Sequence, residues 1–227
     1  MIILDRLPAE NARTYAARVL LHNIMHLELV PGSAVSENEL SSALGVSRTP
    51  VREALIELGR RGLVEIYPQR GSYISKIDYH LIEESRLMRL VLENSVLQQA
   101  CRGLSAESLD ALDSNLNQSR ACAKSPNPQD FLELDNQFHR LLFEAVGRGW
   151  TYGVVHAQMI HFDRLRALSV KSTDNTRLVR DHEDILYAIE RNDEELAQIL
   201  MTRHLTRYQA DQAKLQELYP DYFSDIQ

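Results

Sequence analysis

The stretch from residue 36 to residue 76 restricts the fold of this chain more than any other part of the sequence. It opens with Ser36 and Glu39 in an S-x-x-E pattern, which is typical of a capped helix N-terminus. Gly45 then predicts a helix end, because glycine readily adopts the left-handed backbone conformation found there. A second helix is predicted to begin near Thr49–Pro50, since proline is tolerated in the first turn of a helix. The pattern predicts two short helices joined by a tight turn.

The two helices are expected to divide their residues between an apolar face and an exposed face. The positions at helical spacing that are expected to point inward are Leu40, Ala43 and Leu44, followed by Val51, Ala54, Leu55 and Leu58. Arg48, Thr49 and Arg52 are then expected to point outward from the start of the second helix. In a helix-turn-helix, this end of the second helix reaches the base edges in the major groove of DNA.

A β-hairpin is predicted directly after the second helix. Two runs rich in strand-forming residues, LVEI at 63–66 and SYISK at 72–76, lie on either side of a turn that contains proline and glycine. Arg70 and Gly71 are expected at the tip, where glycine lets the backbone approach a sugar-phosphate chain closely. A hairpin in this position is the wing of a winged helix.

VSRTPVREAL, followed by GLVEIYPQRGSYISKI, resembles the winged helix of GntR-type transcription regulators, and the likeness covers about residues 11–76. The residues that the resemblance implies at the DNA are Ser47, Arg48, Thr49, Pro50, Arg52 and, in the wing, Gly71. Arg70, at the predicted tip of the hairpin, is expected to join them. We expect Arg48 and Arg52 to contact guanine or phosphate, because a guanidinium group presents a fork of donors to both. The alternative is a surface helix with two solvated arginines.

The charge of the chain is distributed unevenly, which bears on how it would bind nucleic acid. The net charge of the 227 residues is −7, but residues 1–76 hold 9 Lys+Arg against 8 Asp+Glu, and residues 77–227 hold 16 against 24. Residues 47–76 hold 6 against 3, so positive charge lies where the helix and wing are predicted. Because one weakly charged domain binds DNA feebly, we expect tight binding to need a homodimer on one operator.

From about residue 81 the sequence shows helical periodicity without a strand pattern. The predicted helices are 81–103, 105–124, 129–146, 150–170, 176–191 and 193–217, with a break at 125–128. The apolar side of the first is assigned to Leu87, Leu90, Val91, Val96 and Leu97. The fold class is therefore mainly α, with a winged helix-turn-helix domain at 1–76, a linker at 77–80 and an antiparallel bundle of six to seven helices at 81–227.

Four polar residues fall on the apolar stripes of three of these predicted helices. They are Asp135, His139, His182 and His204. Burying a carboxylate and three imidazoles without partners costs several kcal/mol, and one divalent metal ion would satisfy all four groups. Nitrogen and oxygen ligands of this kind suit Zn, Ni, Co, Mn or Fe. Ordinary hydrogen-bonded core histidines are the alternative.

The second half of the chain also resembles a known domain. D-x-x-x-H, then D-H-E-x-I-L-x-A-I-x-x-x-D, then M-x-x-H-L is similar to the ligand-binding FCD domain of the FadR branch of GntR proteins, over about residues 80–217. The resemblance implies that the same four residues are metal ligands, with Zn as the first choice, and that a small carboxylate binds beside the ion. It also implies that Arg89 faces the effector pocket, and the alternative for Arg89 is a solvated helix arginine. Arg164 and Arg166 on the fourth predicted helix of this half are weaker candidates.

These features together predict a dimeric, metabolite-responsive transcription regulator. We expect it to act as a repressor on a near-palindromic operator and to respond to a small organic acid or sugar acid. Two alternatives stay open. One is a metal-dependent hydrolase with Glu183 as its base, and the other is a DNA-binding protein whose metal is purely structural.

The sequence predicts a protein of the cytoplasm. No apolar run is long enough to span a membrane, and the apolar run after Met1 is too short for a signal peptide. The two cysteines, Cys101 and Cys122, have no disulfide or metal-binding spacing and are expected to be thiols.

Overall fold

The chain forms two compact units. The computed structural model describes residues 1–123, 128–172 and 175–224. The first unit contains Met1–Tyr79 together with the described residues from 219 onward, and the second contains His80–Leu218.

The end of the described chain belongs with the first unit, which corrects the assignment of everything after residue 81 to the helical domain. The N–H of Ile77 donates to Tyr222 O at 2.8 Å, and the N–H of Ser224 donates to Ile77 O at 3.0 Å. The rings of Tyr79 and Phe223 stack with centroids 5.2 Å apart. This pairing depends on contacts across more than 140 positions of sequence, which local patterns do not reveal.

Three helices in the first unit build the helix-turn-helix. They are α1 (Ala12–Met25), α2 (Glu37–Leu44) and α3 (Arg48–Arg60). Ser36 Oγ accepts a hydrogen bond from the Glu39 N–H at 3.5 Å, and Gly45 ends α2 with φ +64°, so both predicted signals are confirmed. The predicted inward face of α3 is also confirmed, since its four apolar residues are buried. Ala43, however, is exposed, because the two turns of α2 bury only the narrow stripe formed by Leu40 and Leu44.

A small antiparallel sheet completes the winged unit. Its strands are β1 (Ala34–Val35), β2 (Val64–Tyr67) and β3 (Gly71–Ile74), in the order β1-β3-β2. Tyr67 pairs with Gly71 across the hairpin, as the wing prediction requires, while Ala34 pairs with Tyr73 on the other side of β3. The sequence analysis missed β1, because two residues are too few to show an alternating pattern.

The second unit is entirely helical in its described part. Its α-helices are α4 (Tyr79–Ala100), α5 (Ala106–Cys122), α6 (Pro128–Ala145), α7 (Gly149–Gln158), α8 (Ile160–Ser172), α9 (Thr176–Glu190), α10 (Glu194–Thr206) and α11 (Tyr208–Leu218). These eight helices exceed the predicted six to seven because two predicted helices are each divided in two. The predicted break at 125–128 falls largely outside the described residues.

Both divisions occur at one residue with a tightened turn. The Met159 N–H donates to His156 O, and the Arg207 N–H donates to His204 O, three residues back instead of four. Tightened turns of this kind are common where helices end. Neither position has a proline or glycine, so the sequence carries no signal for them.

The buried face of α4 differs from the one predicted. Leu87 and Val91 are 53% and 60% exposed, whereas Arg89 and Glu93 are buried. The two buried side chains form an ion pair with 2.5 Å between Arg89 Nε and Glu93 Oε1. The prediction is therefore wrong for Leu87 and Val91, but it is confirmed for Val96 and Leu97, which are buried, and Leu90 packs against the same core.

The main core of the second unit lies among α4, α5, α6, α9 and α10. Its largest contributors include Leu97, Phe138, Leu142, Ile185 and Met201, all nearly inaccessible to solvent. Each such side chain stabilises the fold by about 1.5–3 kcal/mol relative to an exposed position. Cys101 and Cys122 are free thiols, as expected. None of the helices in the described ranges has the length and apolar character needed to cross a membrane.

Candidate functional site: a recognition helix and a buried metal centre

The exposed N-terminal end of α3 presents the residues that the sequence assigns to DNA recognition. Ser47, Arg48, Thr49 and Arg52 are exposed, and Pro50 is partly buried. The side chains of Arg48 and Arg52 are 65% and 71% exposed. These residues precede or share the first turns of the helix whose opposite face is packed in the unit. The arrangement suits insertion of this end into a DNA groove.

Arg48 and Arg52 face the same acidic residue, which sequence reasoning did not identify. Arg48 Nη2 lies 3.2 Å from Glu37 Oε2, and Arg52 Nε lies 4.0 Å from Glu37 Oε1. Glu37 is the first residue of α2, so the turn between the helices brings it against the start of α3. The geometry thus gives both guanidinium groups an acidic neighbour within the protein.

The tip of the β2–β3 hairpin exposes Arg70 and Gly71. The turn places Gln69 at φ +63° and Gly71 at φ +100°. A Cβ atom on Gly71 would meet nothing within 4 Å, so backbone conformation and not crowding favours glycine. The N–H of Arg70 donates to Tyr67 O at 3.0 Å, which closes the turn.

In the second unit, four buried residues from three helices converge on one point. Asp135 and His139 lie one turn apart on α6, His182 lies on α9, and His204 lies on α10. One potential ligand atom from each lies within 4.8 Å of the others. His204 Nε2 is 3.2 Å from His139 Nε2 and 3.3 Å from His182 Nε2. The structure therefore brings together all four residues that the sequence analysis proposed as ligands.

The hydrogen bonding of this cluster fits a cation better than a self-contained polar core. His139 Nδ1 lies 2.7 Å from Glu93 Oε2, so a neutral ring carries its proton there and leaves a lone pair on Nε2. Asp135 Oδ1, 3.5 Å from His182 Nε2, is buried without a hydrogen-bond partner. Buried acceptors that converge in this way are costly unless something positive lies between them. A divalent ion meets that requirement, and four nitrogen and oxygen ligands are a usual set for one.

Two further carboxylates face the outer nitrogens of the histidines. Besides Glu93 at His139, Asp181 Oδ2 lies 3.6 Å from His204 Nδ1, just beyond a hydrogen bond. Metal-binding histidines usually present their outer nitrogen to such an acceptor, which fixes the orientation of the ring. The sequence analysis missed both residues. The i, i+4 spacing of Arg89 and Glu93 was the available signal for the first.

The electrostatics of the cluster favour the protonation states that a metal needs. Burial is the main reason that the pKa of His139 falls to about 4 and that the pKa of His182 falls well below its usual value. Burial alone raises the pKa of Asp135, but Arg166 and the histidines outweigh it and hold that pKa well below its usual range. The neutral imidazoles of His139 and His182 and the ionised carboxylate of Asp135 are ready to bind a metal ion at neutral pH.

The three arginines named as effector candidates occupy different positions. Arg89 is buried and lines the cavity described below, which excludes a solvated helix arginine. Arg166 also lines the cavity, and it donates to Asp135 and to Asp163. Arg164 is fully buried but does not line the cavity. Of the two weaker candidates, only Arg166 therefore adjoins the cluster.

A partly open cavity lies beside the cluster. Asp135 and His204 form part of its wall, so the cluster reaches the cavity through one carboxylate and one imidazole. The apolar part of the wall is Phe131, Leu132, Phe162, Val170, Leu178 and Leu205. A cavity with an apolar wall and a few polar groups converging at one end suits a small organic ligand.

Two protein-family models match the chain, one in each unit. The model described as "Bacterial regulatory proteins, gntR family" matches residues 13–74, and the model described as "FCD domain" matches residues 84–207, more than half of the chain. The chain belongs to the GntR family of bacterial regulatory proteins. In this GntR protein the first match spans α1 to β3, and the second runs from within α4 to the end of α10.

Curated relatives of the GntR protein match along nearly its full length. The "Uncharacterized HTH-type transcriptional regulator YdfH" of Escherichia coli O6:H1 is 32% identical over 223 residues, covering 98% of this chain and 97% of its own. The "HTH-type transcriptional repressor RspR" of Escherichia coli K12 is 31% identical over 219 residues, covering 96% of each chain. Among solved structures, "E. coli McbR/YncC" superposes with a TM-score of 0.71 at 17% identity, over 92% of this chain and 99% of that one, which indicates a shared fold.

The GntR protein is a DNA-binding transcription regulator and not an enzyme. The hydrolase alternative is therefore excluded. The position of Glu183 agrees with this, because its carboxylate accepts from Arg120 Nε at 3.0 Å on the exposed side of α9. Glu183 thus lies next to His182 in sequence but is not directed at the cluster as a base would be.

Proposed function

We propose that this GntR regulator holds a divalent metal ion in its helical unit and that a small carboxylate bound beside the ion changes its affinity for operator DNA. One observation carries the proposal: a buried set of one carboxylate and three imidazoles adjoins a cavity with a mainly apolar wall. Asp135, His139, His182 and His204 would hold the ion, with zinc as the first choice and Ni, Mn, Co or Fe as alternatives. When bound, the ion supplies a positive charge for a carboxylate oxygen.

The DNA-binding half of the proposal assigns the contacts to α3 and the wing. Arg48 and Arg52 would read guanine or phosphate, and Ser47, Thr49 and Pro50 would lie against the groove. Arg70 and Gly71 would approach the backbone or the minor groove. The exposure of the two arginines and the positive charge of residues 47–76 support this assignment.

We further propose a homodimer that represses from a near-palindromic operator. Leu87 and Val91 lie one turn apart on α4 and expose an apolar pair, as expected of a surface covered in an assembly. Two-fold symmetry of the protein would match two half-sites of the operator. Light scattering coupled to size-exclusion chromatography tests the dimer directly, and a purely monomeric protein would contradict it.

The two halves can be tested separately with two variants. Arg52→Ala should weaken operator binding by at least about tenfold in fluorescence anisotropy, because a good arginine–base contact provides about 1–3 kcal/mol, while metal content stays unchanged. His182→Ala should lose bound metal by elemental analysis and lose any effect of an acid on operator affinity. Undiminished metal in the second variant would remove His182 from the site.

A metal that only stabilises the fold is the remaining alternative. In that case chelation would lower the thermal stability of the protein, and no acid would change its operator affinity. An acid-induced change in operator affinity that disappears on chelation would establish the sensing role.

A further inference from the structure

The wall of the cavity beside the metal cluster is largely hydrocarbon. Phe162 lies closest to the charged end, with its ring 6.0 Å from the guanidinium carbons of both Arg89 and Arg166. It also makes an edge contact with the Tyr208 ring at 5.2 Å between centroids. Phe131 and Leu205 add buried aromatic and aliphatic surface. A ligand that reaches the cluster must therefore place its body against apolar side chains.

The hydroxyl groups of the wall already have acceptors. Ser169 Oγ donates to Asp211 Oδ2 at 3.5 Å, and the Tyr208 hydroxyl donates to Glu83. Among the described lining side chains, the buried polar atoms without a partner are Asp135 Oδ1 and His204 Nδ1 of the cluster and Arg177 Nε. A ligand with many hydroxyl groups would bury more of them than these atoms can pair, which is unfavourable. The wall is thus poorly suited to a polyhydroxylated molecule.

The charges of the wall are also largely compensated within the protein. The cations of the cavity wall nearest the cluster are Arg89, which is buried, and Arg166 and Arg207, whose side chains are 13% and 25% exposed. The carboxylates hydrogen-bonded to them are Glu93, Asp135, Asp163 and Asp181. This largely buried set carries one more negative than positive charge. Arg177, at 41% the most exposed of the lining arginines, lies 3.4 Å from Asp211, so the two form a neutral pair.

A divalent ion on neutral imidazoles changes the balance of the buried set to one excess positive charge. One carboxylate neutralises that charge, whereas a second would place an uncompensated negative charge against hydrocarbon. We propose that the effector of this site is a monocarboxylate with an apolar body, such as a medium-length alkyl or aromatic acid. This inference rests on the proposed function, and it excludes sugar acids and dicarboxylates as the preferred effectors.

Three six-carbon acids test the inference at constant chain length. Hexanoate has one carboxylate and an apolar body, adipate has a second carboxylate, and gluconate has one carboxylate with five hydroxyls. Isothermal titration of the zinc-loaded full chain should give a Kd for hexanoate that is at least about tenfold lower than for the other two. Hexanamide, which has no charge, should not bind.

A variant tests the charge balance independently. Asp211→Asn leaves Arg177 without its carboxylate and adds one positive charge to the cavity, so adipate should gain affinity relative to hexanoate by at least about threefold. Asp184→Asn is the matched control, because Asp184 pairs with Arg203 and does not line the cavity. The control should leave the ratio of the two affinities unchanged. A ratio that does not move in the first variant would overturn the charge argument.

The outcomes for the wild-type protein separate this inference from the proposed function. Tighter binding of adipate or gluconate, lost on chelation, would overturn the apolar monocarboxylate and leave the metal-dependent effector site standing. Failure of all three acids to bind the zinc-loaded protein would overturn both. Binding of hexanoate that persists without metal would also overturn the inference, since the charge balance on which it depends would be wrong.

Discussion

Glu93 shows how a single buried carboxylate can set the chemistry of a neighbouring imidazole. One of its oxygens accepts from Arg89 and the other lies 2.7 Å from His139 Nδ1. Burial raises the pKa of Glu93, but the charges of Arg89 and His139 outweigh this and hold the pKa well below its usual range. The carboxylate thus stays ionised and keeps the proton of His139 on the nitrogen that faces away from the cluster.

Replacing Glu93 should therefore weaken metal binding although Glu93 is not a ligand. We expect Glu93→Gln to lower zinc affinity by about 10–100-fold, the range typical for partners of ligand histidines. Competition with a chelating dye measures this. Glu183→Gln, an acidic residue paired with Arg120 on the surface, is the control and should keep wild-type affinity. Equal affinities in both variants would show that Glu93 does not position His139.

Glu37 is expected to restrain the DNA-binding arginines. Exposed ion pairs contribute only about 0.2–1 kcal/mol, so Glu37→Gln should tighten operator binding by about two- to fivefold at low salt. Glu57→Gln makes the same charge change near the other end of α3, where Glu57 pairs with Arg13, and should have a smaller effect. Fluorescence anisotropy at two salt concentrations gives both values. A weaker affinity in Glu37→Gln would instead assign Glu37 a supporting role in DNA binding.

At the scale of elements, the angle between α2 and α3 depends on a very short connection. α2 ends at Leu44 and α3 begins at Arg48, so only three residues connect them, and the first of these, Gly45, adopts φ +64°. A Cβ atom on Gly45 would meet nothing within 4 Å, so only backbone strain opposes a larger residue. The turn therefore offers a clean test of conformational strain.

Gly45→Ala should destabilise the winged unit by about 1 kcal/mol, because alanine disfavours a positive φ. Gly45→Asn should cost less, since asparagine tolerates the left-handed conformation better. Gly153 lies within α7, and a Cβ atom there would meet nothing within 4 Å, so Gly153→Ala should leave the stability of the protein unchanged or increase it. Chemical denaturation measures all three. Equal stability of the alanine and wild-type proteins would mean that the turn relaxes to another conformation.

The elements that could be predicted from sequence are those whose ends or buried faces are marked by residues within the same segment. Ser36, Gly45 and the apolar spacing of α3 mark the helix-turn-helix without reference to the rest of the chain. The divisions at Met159 and Arg207 carry no proline or glycine, and β1 exists only because β3 supplies its partner. These features depend on tertiary contacts, which a reading of single segments does not contain.

The group formed by Asp135 and the three histidines was predictable because its four members interrupt apolar stripes on α6, α9 and α10. Glu93 was not, because the apolar residues Leu87 and Val91 favour the opposite face of α4. In this part of α4 the ion pair takes the buried positions and the two apolar residues are exposed, so the apolar spacing predicts the wrong buried face there. For Asp181, the only feature of the sequence that could have indicated its place beside His204 was its position next to His182.

At the scale of the whole molecule, a bound ion should contribute to stability as well as to sensing. Zinc at 100 times its Kd should raise the free energy of unfolding by about 2.7 kcal/mol, because it binds only the folded state. Thermal unfolding with and without chelator measures this shift. His182→Ala should abolish it, whereas His156→Ala, a half-exposed histidine outside the cluster, should retain it. Identical melting curves with and without chelator would argue against a bound ion.

The pairing of Ile77 with Tyr222 and Ser224 has a practical consequence for dissecting the protein. The chain leaves the first unit at Tyr79 and re-enters it at Tyr219, so the helical unit is an insertion and not an appendage. A fragment that ends at Tyr79 would keep Ile77 but lose the C-terminal residues that hydrogen-bond to its backbone. An isolated winged unit should therefore include residues 219–224, joined to Tyr79 by a short flexible linker that replaces the inserted helices.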